Sequence, residues 1–494
     1  MAKPQHVLAI DQGTTGTHVA VLDARLQVVA KAYTELRQRF PKPGWVEHDL
    51  GDIWTSVERC IANALRGAGL KGQQLAAIGI TNQRETTGLW ARSNGKPLAP
   101  AIVWQDRRTS DRCAALKEKG LEPEVRERTG LVLDPYFSGT KLGWLLDNVK
   151  GARARADQGE LCFGTVDSWL VYQLTGRMAH VTDVTNASRT LLMNLKTLRW
   201  DERMLQLLEV PAGILPEIRG SSEVYGYTKG LSVLPDGIPV AGMAGDQQSA
   251  LFGQACFTAG EAKCTYGTGA FLLMNVGEAP VASTAGLLST VAWKLGDTTT
   301  YALEGSAFIA GAAVQWLRDG LKLIKKASDI EALAATVKET GEVVFVPALA
   351  GLGAPHWRPE ARGLFAGIDR STTAGHLARA VLEGIALQIH DLAEAMRKDA
   401  GREIPAFKVD GGAAANGLLM QVQADLLQTP VIRPRNLETT SLGAAFLAGL
   451  AVGVWDTPEE IRKAWKPDKL FKPKMTAEGR ARLLEKWNRA VPRA

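Results

Sequence analysis

The stretch "AIDQGTTGTHVAVLD", residues 9–23, ends an apolar strand on one acid, Asp11, and follows it with a Gly/Thr turn and a second apolar strand. Gly13 can take positive φ and let backbone N–H groups approach an anion, while Thr14 and Thr15 add hydroxyl donors. Asp11 could face Mg²⁺ through oxygen or water. The competing reading is a hairpin whose turn merely contains Gly and Thr. A second stretch, "KCTYGTGAFLLMNVG" (263–277), repeats the layout, and "VDGGAAANGLLMQ" (409–421) reads as a strand, a double-glycine turn and a helix. Two such hairpins and one GG turn suit nucleotide phosphates clamped between two halves, with the base at Gly411 and Gly412. Neither a P-loop nor a complete G-x-G-x-x-G fingerprint explains these stretches better.

A different chemistry collects in "GITNQRETTGLW" (79–90), where Asn82, Gln83, Arg84 and Glu85 follow a strand. They make a poor core but a good set of donors and acceptors for the hydroxyls of a polyol. The alternative for Arg84 and Glu85 is a surface ion pair. In "AGDQQSA", Asp246 stands at an expected helix start, as an N-cap or as a general base within reach of a substrate hydroxyl.

Positioning these groups requires an alternation of strands and helices. "HVLAI", "HVAVL" and "LAAIGIT" read as strands, and residues 53–65 place Ile53, Trp54, Val57, Ile61, Ala64 and Leu65 on one helical face. The pattern predicts an α/β protein of two domains, 1–254 and 255–494, each opening with a Gly/Thr hairpin. Two helices, around "SLGAAFLAGLAVG" and "TPEEIRKAW", are expected to close the chain, with "KPDKLFKPK" as a solvated face.

Composition narrows the function classes. With 46% hydrophobic and 22% charged residues and a net charge of +6, the chain reads as globular rather than disordered or nucleic-acid-binding. Its five cysteines form no CxxC pair and suggest buried thiols in a reducing compartment rather than a disulfide framework. No apolar run reaches the roughly 18 residues of a membrane span, and no signal-peptide core follows "MAKPQ", so a soluble, cytoplasmic protein is expected.

Taken with "FPKPGWVEHD", "DPYFSGTKLGWLLDN", "VTDVTNASRT" and "GLFAGIDRSTTAGHLARAVLE", these stretches resemble the FGGY carbohydrate kinase family, within the actin and Hsp70-like ATPase superfamily. The resemblance implies two actin-like (ribonuclease H-like) domains around a cleft and ATP-dependent phosphorylation of glycerol to sn-glycerol 3-phosphate. By the same resemblance Arg84, Glu85, Tyr136, Asp246 and Gln247 hold the glycerol hydroxyls, Trp104 and Phe271 cover its carbons, and Asp246 is the base. Thr14, Thr15, Gly16, Thr268, Gly311, Gln315, Gly412 and Asn416 carry ATP, Asp11 is associated with Mg²⁺, and a homodimer or homotetramer is implied. A kinase for another small polyol or ketose, or an ATPase of the superfamily without a small acceptor, are the competing readings.

The chain departs from the family pattern at His18, where bacterial members usually have arginine. Histidine cannot fork onto phosphate as a permanent cation does, so a weaker or pH-dependent nucleotide contact is expected. The stretch "YTKGLSVLPDGIP" (227–239), which corresponds to a loop that binds fructose 1,6-bisphosphate in some members, contains Lys229 but no arginine and no histidine.

Overall fold

The computed structural model describes residues 5–494. Its first sheet has six strands, β1 (His6–Gln12), β2 (Gly16–Leu22), β3 (Val28–Glu35), β4 (Leu75–Asn82), β5 (Ser222–Tyr227) and β6 (Pro239–Gly245), in the order β5-β6-β4-β1-β2-β3. β1 runs antiparallel to β2 and parallel to β4, and the register sets Asp11 opposite His18 on one side and Thr81 on the other. The second sheet repeats the plan with β7 (Ala262–Tyr266), β8 (Ala270–Gly277), β9 (Leu288–Leu295), β10 (Thr298–Ala307), β11 (Phe407–Asp410), β12 (Val431–Pro434) and β13 (Pro467–Phe471), ordered β9-β10-β8-β7-β11-β12-β13. Both Gly/Thr hairpins are therefore central, and each strand that leads into one lies parallel to a strand from a later crossover, β1 to β4 and β7 to β11.

Helix α1 (Leu50–Ala68) covers the first sheet and shows why this stretch folds as the spacing predicts. The Asp49 carboxylate accepts from the amides of Gly51 and Asp52, Gly69 ends the helix at φ 65°, and Ile53, Val57, Ile61, Ala64 and Leu65 are buried. Cys60 joins this buried face, and Trp54 packs only at its margin.

Helices α2 (Asp246–Gly253), α3 (Gly311–Asp319), α4 (Ala374–Ala400), α5 (Gly417–Leu427) and α6 (Thr439–Ala451) complete the frame. α6 belongs to the second half by sequence but packs on the first sheet, against β1, β4 and β6, and on α2. Its run "SLGAAFLAG" makes this possible because only small side chains let backbones come so close. A Cβ on Gly443 would stand 1.9 Å from the Ser249 carbonyl oxygen, and one on Gly79 would stand 2.2 Å from that of Ala444. The apolar cluster at this seam mixes both halves, with Ala9, Ala77, Leu251, Leu273, Ala445 and Leu447 among its members.

The chain does not close on the two expected helices. "KPDKLFKPK" supplies edge strand β13, whose first four residues are exposed, and a further helix, Ala477–Ala490, follows. The alternation is hidden because Lys469 faces solvent beside a Pro-flanked segment, and only Phe471 is buried. Cys60, Cys113, Cys162, Cys256 and Cys264 are all buried free thiols, and no described helix is long and apolar enough to cross a membrane.

The tight seam generates a prediction. Gly443→Ala is expected to destabilise the fold by about 1–3 kcal/mol or more, because the Ser249 carbonyl cannot retreat without disturbing α2. Gly213→Ala, with no atom within 4 Å of its added methyl, is expected to stay within about 0.5 kcal/mol of the parent. Urea unfolding midpoints of the two variants check this.

Candidate active site

Arg84 lies two residues past the end of β4 and its side chain is 1% exposed, so it is no part of a surface ion pair. Glu85 is equally buried, adopts φ 59°, and keeps its carboxylate 3.8 Å from the Arg84 Nε. Its carbonyl accepts from Ser138 Oγ at 3.0 Å and Lys141 Nζ at 3.3 Å, which together hold this left-handed turn. Arg84 Nη2 donates to the Tyr136 hydroxyl at 3.3 Å, and its Nε stands 3.2 Å from Asp246 Oδ1. The rings of Tyr136 and Phe271 lie 5.6 and 6.3 Å from that of Trp104, both edge-on. The structure thus brings Arg84, Glu85, Tyr136, Trp104, Phe271 and Asp246 to one place. Gln247 is beside them, its side-chain oxygen accepting from Lys263 Nζ at 2.5 Å.

Three charged residues at this place stand outside the sequence-based set. Arg189 donates from Nε to Glu85 at 2.7 Å and from Nη2 to Glu304 at 2.9 Å. Glu304, in β10, also receives both Nη groups of Arg84, at 2.5 and 2.9 Å. Lys263, in β7, is fully buried. A lone charge inside an apolar strand, as in "YALEGSA" or "AKCTY", is the signal that could have found Glu304 and Lys263, since such a charge must be paired.

Burial treats the acids differently. It alone would raise Glu304, yet Arg189 and Arg84 hold that carboxyl down at about 2. Asp246 is pushed up by burial, against the pull of Arg84 and Lys263, although 31% of its side-chain surface is exposed. Asp11 is raised to about 7 by burial and by the charge of Asp246, with the Ser441 hydroxyl at 3.3 Å opposing. Asp246 is the first residue of α2 rather than its N-cap, which is Gly245. Its carboxylate is therefore free of a capping duty, apart from a 2.7 Å bond from the amide of Gln247.

The first hairpin is braced from beneath. Gln83 Nε2 donates to Gln12 Oε1 and to the Gly13 carbonyl at 3.1 and 3.2 Å, and stands 3.2 Å from His48 Nδ1. The Gly13 amide is spent on the Gly16 carbonyl at 2.9 Å, and Gly13 does not adopt positive φ, which corrects the expected use of this glycine. Trp104 Nε1 donates to the Thr14 hydroxyl at 2.8 Å, tying the aromatic wall to the turn. Thr15 is exposed, and Gly16 lies against the Tyr33 ring, where a Cβ would come within 2.3 Å. In the second hairpin Thr268 is exposed and its carbonyl accepts from Ala310 and Ala312, which seats Gly311 and the start of α3. Gln315 is exposed one turn along. Gly411 sits at φ 83° against the Tyr266 backbone, Gly412 is exposed with nothing within 4 Å of its Cβ position, and the Asn416 side chain caps α5 through the Leu419 amide at 2.8 Å.

His18 is half-buried with its ring 4.5 Å from that of Tyr33. Burial lowers its pKa, Glu438 works against that shift, and Lys31, itself 2.8 Å from Glu438, adds to it. In the stretch 227–239 the one lysine, Lys229, is paired with Asp236 at 2.7 Å.

The FGGY model of carbohydrate kinase N-terminal domains matches residues 6–253, and the C-terminal model matches residues 262–452. The chain belongs to the FGGY family of carbohydrate kinases. This FGGY chain is 72% identical over 496 residues to a glycerol kinase of Myxococcus xanthus, with 100% of both chains covered. It is 55% identical over 494 residues to a glycerol kinase of Deinococcus radiodurans, covering 100% of this chain and 98% of that one. Among solved structures, a Plasmodium falciparum glycerol kinase with ADP superposes at TM-score 0.92 and 39% identity, over 99% of this chain and 98% of that one. A gluconate kinase of Lactobacillus acidophilus shares the fold at TM-score 0.87 and 24% identity, over 98% and 96% of the two chains. The expected two-domain α/β architecture is therefore the FGGY architecture, with sheets of mixed strand direction.

The expected nucleotide contact of His18 gives a prediction with a definite sign. Its lowered pKa leaves the imidazole neutral at pH 7.5, and charge returns only on acidification below the ordinary value of 6.5. His18→Arg is expected to bind ATP roughly tenfold more tightly at pH 7.5, with the gap to the parent narrowing as the pH falls below 6.5. Calorimetric titration of ATP at several pH values checks both the size and the trend.

Proposed function

We propose that the chain transfers the γ-phosphoryl group of ATP to a terminal hydroxyl of glycerol, giving sn-glycerol 3-phosphate. The observation that carries this reading is the convergence of Arg84, Glu85, Tyr136 and Asp246 beside Trp104 and Phe271, with the Arg84 Nε buried and ion-paired to Asp246 at 3.2 Å without donating a hydrogen bond. A buried donor that makes no hydrogen bond favours a ligand that supplies a hydroxyl and penalises one that lacks it. Aromatic edges beside the polar cluster cover CH groups and leave little room for a longer sugar. The full-length similarity to proteins named glycerol kinase supports the same substrate.

Asp246 accepts the proton of the attacking hydroxyl. Burial raises its pKa and so makes it a stronger base, while Arg84 keeps enough opposing charge nearby for it to act ionised. Arg84 and Glu85 orient the acceptor, so the reacting oxygen is held before the phosphoryl group arrives. Thr14, Thr15, Gly16, Thr268, Gly311, Gln315, Gly412 and Asn416 line the route for ATP from one hairpin to the other, with His18 at its edge as a neutral contact. The hard oxygens of Asp11, whose ionisation burial and the charge of Asp246 both make costly, fit a divalent cation completed by phosphate and water. Mg²⁺ bound there would neutralise charge on the transferring phosphoryl group.

The two halves, 1–254 and 255–494, are read as units apart from α6, which stays with the first sheet, so the hinge lies at the linker between α2 and β7 and at the two ends of α6. Their closure excludes water, the competing acceptor. A cytoplasmic homodimer or homotetramer completes the reading.

Asp246→Asn is expected to lower turnover at least about 100-fold with glycerol binding largely kept. A coupled assay of ATP turnover with glycerol, dihydroxyacetone, erythritol and pentuloses tests the acceptor. Near-normal turnover in the variant would remove Asp246 as the base, and a pentulose preferred over glycerol would replace the substrate.

A further inference from the structure

We propose that Glu304 is a positioning residue for the acceptor site, a clasp from the second half that fixes the plane of Arg84 and leaves it one donor for the polyol. The inference rests on the polyol reading above and deepens it. A guanidinium carries five N–H donors in a rigid fork. In Arg84, Nη1 donates to Glu304 Oε2 at 2.5 Å and Gln248 Oε1 at 3.1 Å, and Nη2 donates to Glu304 Oε1 at 2.9 Å and Tyr136 Oη at 3.3 Å. Four donors are thereby used, and the fifth, on Nε, is buried 3.2 Å from Asp246 Oδ1 and makes no hydrogen bond. The bidentate grip on Glu304 decides which edge of the guanidinium that is.

Three features make the clasp more than a packing contact. Glu304 lies in β10 of the second sheet, whereas Arg84, Tyr136 and Arg189 come from the first half, so the acceptor pocket is built from both halves. Its carboxylate is fully buried and spans two guanidinium groups, so water cannot substitute for it. Arg189, the second group it receives, also holds Glu85, so one carboxylate sets the orientation of both polar residues that flank the acceptor. A carboxamide in its place would accept at one oxygen and turn its own N–H₂ toward the guanidinium groups, releasing the Arg84 plane.

Steady-state kinetics and glycerol calorimetry on the full-length wild type, Glu304→Gln and Glu304→Asp test this. Glu304→Gln is expected to raise the glycerol KM by roughly 10- to 100-fold, with the ATP KM changed less than about twofold. Glu304→Asp, which keeps the charge, is expected to fall between wild type and Glu304→Gln. A purely structural role would instead reduce the active fraction, lowering apparent kcat and leaving both KM values in place. An unchanged glycerol KM in folded Glu304→Gln overturns the clasp. Should Glu304→Gln fail to fold, an unchanged glycerol KM in Glu304→Asp does the same. Wild type that binds no glycerol by calorimetry overturns the polyol reading and the clasp together, whereas wild-type binding with unmoved variants overturns the clasp alone.

Discussion

A guanidinium removed from water must be answered by a carboxylate, and the pairing of Arg84 with Glu304 is where this protein meets that demand. The pair spans two sheets that are far apart in sequence. β10, which carries Glu304, and the turn after β4, which carries Arg84, must therefore be brought together with the accuracy of a hydrogen bond. Arg189 extends the pair into a network that reaches Glu85, and the left-handed turn at Glu85 is held in place by Ser138 and Lys141. The polar site, the strained turn and the contact between halves are three views of one charge-balance problem.

The same cleft sets its acids apart by what surrounds each. Glu304 lies between two arginines and stays ionised far into acid, while Asp11 and Asp246 are both pushed toward neutrality by burial, Asp11 also by the charge of Asp246. One acid is thus committed to structure, and two are left reactive toward protons or cations. Lys263, whose own pKa burial lowers, stands by Gln247 and contributes charge to the group without an exposed ion pair.

Much of this was legible in the sequence because it is local. The two Gly/Thr hairpins, the GG turn and the amphipathic face of α1 follow from spacing within a dozen or so residues, and each forms where that spacing places it. The Arg84–Glu304 clasp was not legible, since nothing near position 304 names a partner 220 residues earlier. The pairing of β13 also escaped the local pattern, because lysines on an edge strand look like any solvated segment. At Gly13 a local rule misled: positive φ was available but was not needed, as the turn closes through the Gly16 carbonyl instead.

The seating of α6 on the first sheet has a consequence for how the chain is made. The strands of that sheet end at Gly245, whereas the helix that covers one of its faces ends at Ala451. At ordinary elongation rates of about 5–20 residues per second, roughly 10–40 s separate the synthesis of the two. Throughout that interval Ala9, Ala77, Ala241 and Ala244 lack the helix that later buries them. The small side chains that let the backbones approach in the finished protein also limit the apolar area this waiting face presents, to which Val7 and Leu22 add the larger groups. The Gly/Ala seam thus serves the nascent chain on the ribosome as well as the folded enzyme.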